Sequence, residues 1–233
     1  MLLKYNDSKK VLSSHNNRHV SRNSHITLVC FAIKEEAAPF VRLTRQHPDI
    51  KIVVTGIGKR NAENAVLSFF EQQTPILVLT CGFAGGLSPE LDSGTIVYEE
   101  DPDTKFGFAL EKLGAKRIRF FCASRMIITS SEKRALRQET GADAVEMESG
   151  HIRRLCNERN IPWITVRVIS DTANEELPLD FNLFMNKSDR ISYVRLVRTV
   201  LKSPSKVPKI LSFRKRSIWA AEKLADALKD VLQ

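Results

Sequence analysis

Residues 163–169 read WITVRVI, and the reading of that run decides the fold. β-branched side chains dominate it, which suits a strand. Successive side chains of a strand point to opposite faces, and here both faces carry apolar residues, so both must be covered. Residues 76–81 (ILVLTC) have the same property. Strands buried on two sides belong at the centre of a parallel sheet sandwiched between helices.

Shorter apolar runs extend the pattern outward, at residues 26–33 (ITLVCFAI), 50–54, 95–98, 118–123 and 142–145. Between them, residues 59–73 place Ala62, Ala65, Val66, Phe69 and Phe70 on one helical face, and residues 148–159 do the same with Ile152, Leu155 and Cys156. The expectation is an α/β fold in a single domain, a central mostly parallel mixed sheet flanked by helices. Beyond Pro178 the pattern predicts a helical stretch over 187–202, a connector at 203–209 (SPSKVPK) and a final helix. That helix should bury Ile218, Ala221, Leu224, Ala225 and Leu228 on one face.

The chain has 233 residues, of which 42% are hydrophobic, enough to fill one core of that size. No apolar run approaches the roughly 18 residues of a membrane span. The net charge of +9 is unevenly placed: residues 1–25 carry +4, residues 187–233 carry +8, and residues 26–186 are left with −3. The basic character therefore belongs to the ends. The expected division is a disordered basic leader (1–25), an enzyme-like body (26–186) and basic C-terminal helices packed on it (187–233). The leader lacks the apolar stretch of a secretory signal. Cys30, Cys81, Cys122 and Cys156 lie far apart in apolar surroundings and read as reduced core residues of a cytoplasmic protein.

Several motifs fail on inspection. Gly56-Ile57-Gly58 follows a strand and opens a helix, but position 61 is Asn, so no dinucleotide fingerprint forms, and the spacing of a phosphate-gripping P-loop is absent. No GxSxG elbow occurs, and the histidines lack neighbouring metal ligands, so no metal or cofactor is implied. What remains is positional. Glu36, Gly56/Gly58, Gly82 to Gly86, Glu148 and Asp171 each fall near the C-terminal end of a predicted strand, the edge where doubly wound sheets bind ligands. Taken singly, such glycines are turns and such acids are helix caps. Together they point to acid/base or cation-stabilising chemistry beside glycine loops, 82–86 among them, whose backbone a small ligand can approach.

Three segments carry a family resemblance: TGIGKRNAENAV (55–66), CGFAGGLSPELDSGTIV (81–97) and AVEMESGHIRRLCNERNIPWITVRVISDTAN (144–174). They resemble the purine nucleoside phosphorylase and nucleosidase superfamily, most of all its methylthioadenosine/S-adenosylhomocysteine nucleosidase branch, over residues 26–174. The resemblance implies a nucleoside phosphorylase-like fold and cleavage of a purine nucleoside's N-glycosidic bond, adenine being the expected base. It gives Asp171 the protonation of the leaving purine at N7, Glu148 the ribose hydroxyls, and Glu36 the attacking water. Met147 would lie against the sugar, Ile127 at the base edge, and Phe83, Ala84, Gly85 and Ser170 around the substrate.

Bond cleavage of this kind builds positive charge on the sugar and negative charge on the base, which suits carboxylates below and an acid above. For Asp171 to hold a proton near neutral pH, burial and neighbouring carboxylates would have to raise its pKa from about 3.9. Glu35 serves as the control for Glu36, and Glu146 is expected to support rather than touch the substrate. Phe83 stands where the nucleosidases carry a small hydroxyl residue, which implies a greasier pocket and an apolar substituent. Residues 97–126 form a shorter span than in the methylthioadenosine enzymes, where it covers the substrate's 5′ end and builds the dimer. The arginine that phosphorylases place before the glycine segment is here Thr80, so hydrolysis is favoured, with phosphate as co-substrate in the phosphorolytic alternative.

A second branch, the hopanoid-associated nucleosidases, is also similar, having a bulky apolar residue in the glycine segment, a short middle and a basic C-terminal extension, and it implies release of adenine from an adenosyl-linked lipid as an alternative function. By that likeness the tail, with Ile210, Leu211, Phe213 and Trp219 beside Lys209, Arg214, Lys215 and Arg216, could meet an anionic membrane surface. The plainer reading is a solvated basic face packed by its apolar side on the body. A purine nucleoside is the expected partner, a homodimer the implied assembly, and nucleic acid is not expected. The rival from another class is a non-catalytic nucleoside-binding module.

Overall fold

The computed structural model describes residues 25–102, 104–184, 205 and 207–232. The leader, up to residue 24, and the helical stretch expected over 187–202 lie outside the described residues.

The elements follow in the order β1 (Thr27–Phe31), α1 (Lys34–Leu43), β2 (Ile50–Val54), α2 (Lys59–Gln72), β3 (Leu77–Gly86) and β4 (Ile96–Glu100). Then come α3 (Phe106–Lys112), β5 (Lys116–Arg117), β6 (Phe120–Cys122), α4 (Ser130–Thr140), β7 (Ala144–Glu146), α5 (Ser149–Asn157) and β8 (Trp163–Asp171). A 3-10 turn at Phe181–Phe184 and the long helix α6 (Val207–Leu232) complete the described chain. The strands form one sheet in the order β2-β1-β3-β8-β4-β5, to which β7 attaches on β3 and β6 on β7. Pairs β1/β2, β1/β3, β3/β8, β4/β5 and β6/β7 are parallel, whereas β4/β8 and β3/β7 are antiparallel. The mixed sheet with helices on both faces is the architecture expected from WITVRVI.

Alternation along the strands sorts the core into two layers. Val29 and Phe31 of β1, Leu77, Leu79 and Cys81 of β3, and Ile164, Val166 and Val168 of β8 pack with Phe40 of α1, Leu110 of α3 and Ala220, Leu224, Ala225 and Leu228 of α6. Leu28, Cys30, Val78 and Trp163 face the other way, against Ala62 and Val66 of α2 and Ile152, Leu155 and Cys156 of α5. Neighbouring residues thus serve opposite layers, which is why these runs carry no polar face.

Two local expectations need correction. The glycine-rich segment 82–86 is strand rather than loop: β3 runs on to Gly86, pairing with β8 through a register shift at Ala84/Gly85 and with β7 at Gly85 and Gly86. Its unpaired look in sequence came from small residues needed where three strands converge. On α6, Ile218 is 45% exposed and Ala220 takes its place on the buried face, while the helix already includes Val207, Pro208 and Lys209 of the expected connector. Pro208 is tolerated because the first turn leaves its N–H without an intrahelical partner anyway.

Candidate active site

The C-terminal ends of β1, β3 and β8 bring two polar groups of side chains to one edge of the sheet. Arg167 of β8 is at the centre of the first. An arginine with 2% exposure has to be paired, and it lies among three carboxylates. Its Nη2 donates to Glu146 Oε2 at 2.6 Å and lies 3.7 Å from Glu148 Oε2, and its Nη1 donates to the carbonyl of Cys81 at 2.8 Å.

Glu36 enters from the first turn of α1. Its Oε2 accepts from the backbone N–H groups of Ala32 (3.1 Å) and Ile33 (3.2 Å), and its Oε1 from the N–H of Phe83 (2.9 Å). Gly82 is the reason these groups can meet. Its φ is +143°, and a Cβ there would stand 2.7 Å from both Arg167 Nη1 and Glu36 Oε1. Glu35, one residue earlier, is exposed.

Glu148 lies where β7 ends and α5 begins. Its Oε1 accepts from the N–H of Gly58 at 2.9 Å, a donor delivered by a loop whose φ of +79° at residue 58 favours glycine. Glu146 accepts from the N–H groups of Glu148 (2.9 Å) and Ser149 (2.7 Å) and from Ser149 Oγ (2.8 Å). The expected supporting role for Glu146 thus has a geometric basis, since it braces both Arg167 and the turn that carries Glu148.

The electrostatics follow from burying three carboxylates around one guanidinium. Burial pushes Glu148 up to about 7, Arg167 opposing and Glu146 reinforcing the rise. Burial likewise raises Glu36, against Arg167 and its three backbone donors. Burial opposes ionisation of Glu146 too, but Arg167 and the N–H groups of Ser149 and Glu148 outweigh it and hold this carboxyl below its usual range. Glu146 is therefore the fixed anion, Glu148 is the carboxylate able to exchange a proton near neutrality, and Glu36 is shifted in the same direction as Glu148.

The second group surrounds Asp171 at the end of β8. Ser170 Oγ donates to Asp171 Oδ1 at 2.5 Å and approaches the carbonyl of Ala84 at 3.3 Å. Gly85 is the register partner of Asp171 on β3. The neighbour of Asp171 Oδ2 is not a carboxylate, as expected, but the ammonium of Lys133, 2.5 Å away and without exposed surface. Lys133 comes from the first turn of α4. That helix is started by a capping box, in which Thr129 Oγ1 accepts from the N–H of Glu132 (3.2 Å) and Glu132 Oε2 from the N–H of Thr129 (3.0 Å).

Met147 is buried, packed with Ala32, Ile57, Ile33 and Met126. Ile127 is half-buried against Val145, Leu87 and Ala123. Asn182 holds the backbone beside it, its Nδ2 donating to the carbonyl of Met126 and its Oδ1 accepting that residue's N–H. Phe83 contributes its N–H to Glu36, while its ring packs against the core beneath α1 and α6. Thr80, at the position of the phosphorylase arginine, is buried and hydrogen-bonds Thr165 Oγ1 at 3.0 Å. Among the described residues, no group of three or more His, Cys, Asp or Glu side chains could hold a metal ion.

Lys133, Arg167 and Asn182 are the participants that the sequence reading missed. Arg167 had a signal: a lone charge inside a two-sided apolar strand must find a counter-ion. Lys133 had none, because SSEKRALRQET holds only Ala135 and Leu136 as apolar residues and so gives no buried face to place it on.

The chain is similar to known proteins in part of its sequence and in its fold. The profile of the phosphorylase superfamily matches residues 109–202. The 5′-methylthioadenosine/S-adenosylhomocysteine nucleosidase of Anoxybacillus flavithermus is 27% identical over 174 residues, 60% of this chain and 75% of that protein. The enzyme of the same name from Shewanella sediminis is 25% identical over 183 residues, covering 64% and 80%. Among solved structures, the Helicobacter pylori 5′-methylthioadenosine/S-adenosylhomocysteine nucleosidase with butyl-thio-DADMe-Immucillin-A superposes with a TM-score of 0.67 at 16% identity, over 90% of this chain and 98% of that one. Futalosine hydrolase of Helicobacter pylori gives 0.66, also at 16%, over 90% and 97%. Residues 109–202 are thus similar to the phosphorylase superfamily, and the chain has the fold of these nucleosidase structures.

Proposed function

We propose that the protein is a nucleosidase that hydrolyses the N-glycosidic bond of a purine nucleoside, with adenine as the base released. The observation that carries this reading is the buried cluster of Glu36, Glu146 and Glu148 around a single arginine. With Glu146 already balancing the guanidinium, ionisation of Glu36 or Glu148 leaves net negative charge, which suits a sugar that becomes cationic as its bond to the base breaks.

In this reading Glu148 accepts hydrogen bonds from the ribose hydroxyls, Met147 packs on the sugar, and Asp171 passes a proton to N7 of the departing purine. Glu36, whose carboxyl is raised by burial, takes a proton from the attacking water as its oxygen bonds to the anomeric carbon. Ser170, Ala84 and Gly85 hold the Asp171 carboxyl in place, and the chain around Ile127 borders the base. The chemistry draws on side chains of this chain alone and calls for no cofactor. Thr80, buried and bonded to Thr165, supports water rather than phosphate as the nucleophile.

A homodimer accompanies this reading, and sedimentation equilibrium tests it. The outer face of α6 exposes Leu211, Ile218 and Trp219 together with Lys209, Arg214 and Lys215, and is the surface by which the tail would meet anionic headgroups. Flotation with anionic vesicles tests that contact. Among the described residues no helix is long and apolar enough to cross a membrane.

The decisive experiment is chromatographic detection of free base from methylthioadenosine, S-adenosylhomocysteine, adenosine and inosine, with and without phosphate. Adenine release without phosphate is expected, and strict phosphate dependence would make the reaction a phosphorolysis. Loss of turnover in Asp171→Asn with base binding retained is expected as well; unchanged turnover would remove Asp171 from the mechanism.

A further inference from the structure

An acid that protonates a leaving purine must carry its proton at working pH, and an isolated carboxyl with a pKa of about 3.9 does so in roughly one molecule in a thousand at pH 7. The surroundings of Asp171 offer a different solution. Lys133 Nζ has three protons and three acceptors: Asp171 Oδ2 at 2.5 Å, the carbonyl of Thr172 at 2.6 Å and the carbonyl of Glu175 at 2.9 Å. The two carbonyls cannot take a proton from an ammonium. Asp171 can.

Moving one proton from Nζ to the carboxyl leaves every group satisfied. The neutral amine keeps two N–H donors for Thr172 and Glu175 and turns its lone pair toward the new O–H of Asp171, while Ser170 Oγ still donates to Oδ1. The ionic pair and the neutral pair are two arrangements of the same proton count, and the site accommodates both without an orphaned polar atom. A lysine that merely anchored the segment 172–175 would need no such match.

We propose that Lys133 is the proton source behind Asp171, a residue that acts through the carboxyl and does not touch the substrate. This inference rests on the nucleosidase reading. The proton leaves Lys133 Nζ for the Asp171 carboxyl, and the carboxyl protonates N7 as the bond from the anomeric carbon to the base breaks. Water forms the new carbon–oxygen bond and gives its proton to Glu36. One proton restored to Lys133 and one released from Glu36 close the cycle, which balances without another reactant. A lysine ammonium also lies near the basicity of a departing purine anion, the matching that favours proton transfer.

The charged groups around the pair are few. The segment 172–175 contributes Glu175, whose carboxylate accepts from the N–H of Thr172 and pairs with Arg216 of α6 at 2.6 Å; Glu132, Arg134 and Arg137 lie on α4 itself. Glu175 and Arg216 neutralise one another, which leaves Lys133 as the cation that faces Asp171.

The test is the pH dependence of kcat for adenine release, measured on the whole protein and on Lys133→Met and Lys133→Arg. In the unaltered protein the alkaline limb should belong to the pair and move with temperature as an ammonium ionisation does, whereas a carboxylic acid's limb scarcely moves. In Lys133→Met only the carboxyl remains to lose a proton, so the limb should lose that temperature dependence. Lys133→Arg keeps the charge but cannot release a proton, so kcat should fall about 100-fold with KM little changed. A limb that ignores temperature in the unaltered protein overturns the proposal without need of any variant. So does a folded Lys133→Met protein whose limb keeps the temperature dependence of the unaltered protein. Absence of base release from all four nucleosides by the unaltered protein would instead overturn the nucleosidase reading on which it stands.

Discussion

Replacing Arg167 by Met tests whether one guanidinium neutralises the carboxylate cluster. The side chain is 2% exposed and its Nη2 lies 2.6 Å from Glu146, itself 5% exposed. Methionine fills similar space but leaves Glu146 buried without its counter-ion, and breaking a buried pair from one side costs about 3–5 kcal/mol. The sign with pH follows from linkage. In the native protein Glu146 is held below its usual range, so its stabilisation is present above the unfolded value of 4.5 and is lost only as pH falls through the folded value. Without Arg167 the same carboxyl is driven upward by burial, and its protonated form is the stable one; the variant then loses stability as pH rises above 4.5. The gap between the two proteins should therefore widen by about 1.4 kcal/mol per pH unit between 5 and 7. Urea denaturation midpoints of both proteins at pH 5, 6, 7 and 8 measure it. A deficit below about 1 kcal/mol at pH 7, or one independent of pH, would refute the reasoning, because an unpaired buried carboxylate must show both effects.

Glu36→Gln should lower turnover by about 100-fold, the usual contribution of a general base, while Glu35→Gln, altering an exposed neighbour, should leave it unchanged; equal effects in steady-state assays would dismiss Glu36. Gly82→Ala would place a methyl group 2.7 Å from Glu36 Oε1 and Arg167 Nη1, so activity should fall with the cluster's displacement, and an unchanged KM and kcat would show that the approach is not needed. Glu148, raised to about 7, favours the folded state when protonated; that contribution is complete below 4.5 and is lost as pH rises through about 7. Glu148→Gln should flatten the fall in melting temperature over that window, and a fall that persists would assign it to another group.

Much of the fold could be read from local pattern. WITVRVI and ILVLTC announced strands covered on both sides, because apolar residues at both parities of a strand admit no solvent face. Helices α2 and α5 followed from spacing alone. The positions of Glu36, Glu148 and Asp171 were visible as acids following strands, since the C-terminal edge of such a sheet gathers ligand-binding groups.

Pairings across the sheet were not legible in this way. Glycines 82–86 looked like a loop, since small residues mark a turn and a crowded strand equally well; only the convergence of β3, β7 and β8, with Glu36 and Arg167 against Gly82, decided for strand. The expected carboxylate company of Asp171 proved to be a lysine 38 residues earlier. Local sequence specifies which residues are apolar and how they repeat, and that determines elements and layers. Which charge meets which is decided by loops and helix rotations that bring distant residues within 3 Å, and no periodicity encodes it. The amino-acid order thus determined the sheet, its two covering layers and the edge at which chemistry is placed, whereas the tertiary structure alone decided that Arg167 binds the carboxylates together and that Lys133 stands behind Asp171.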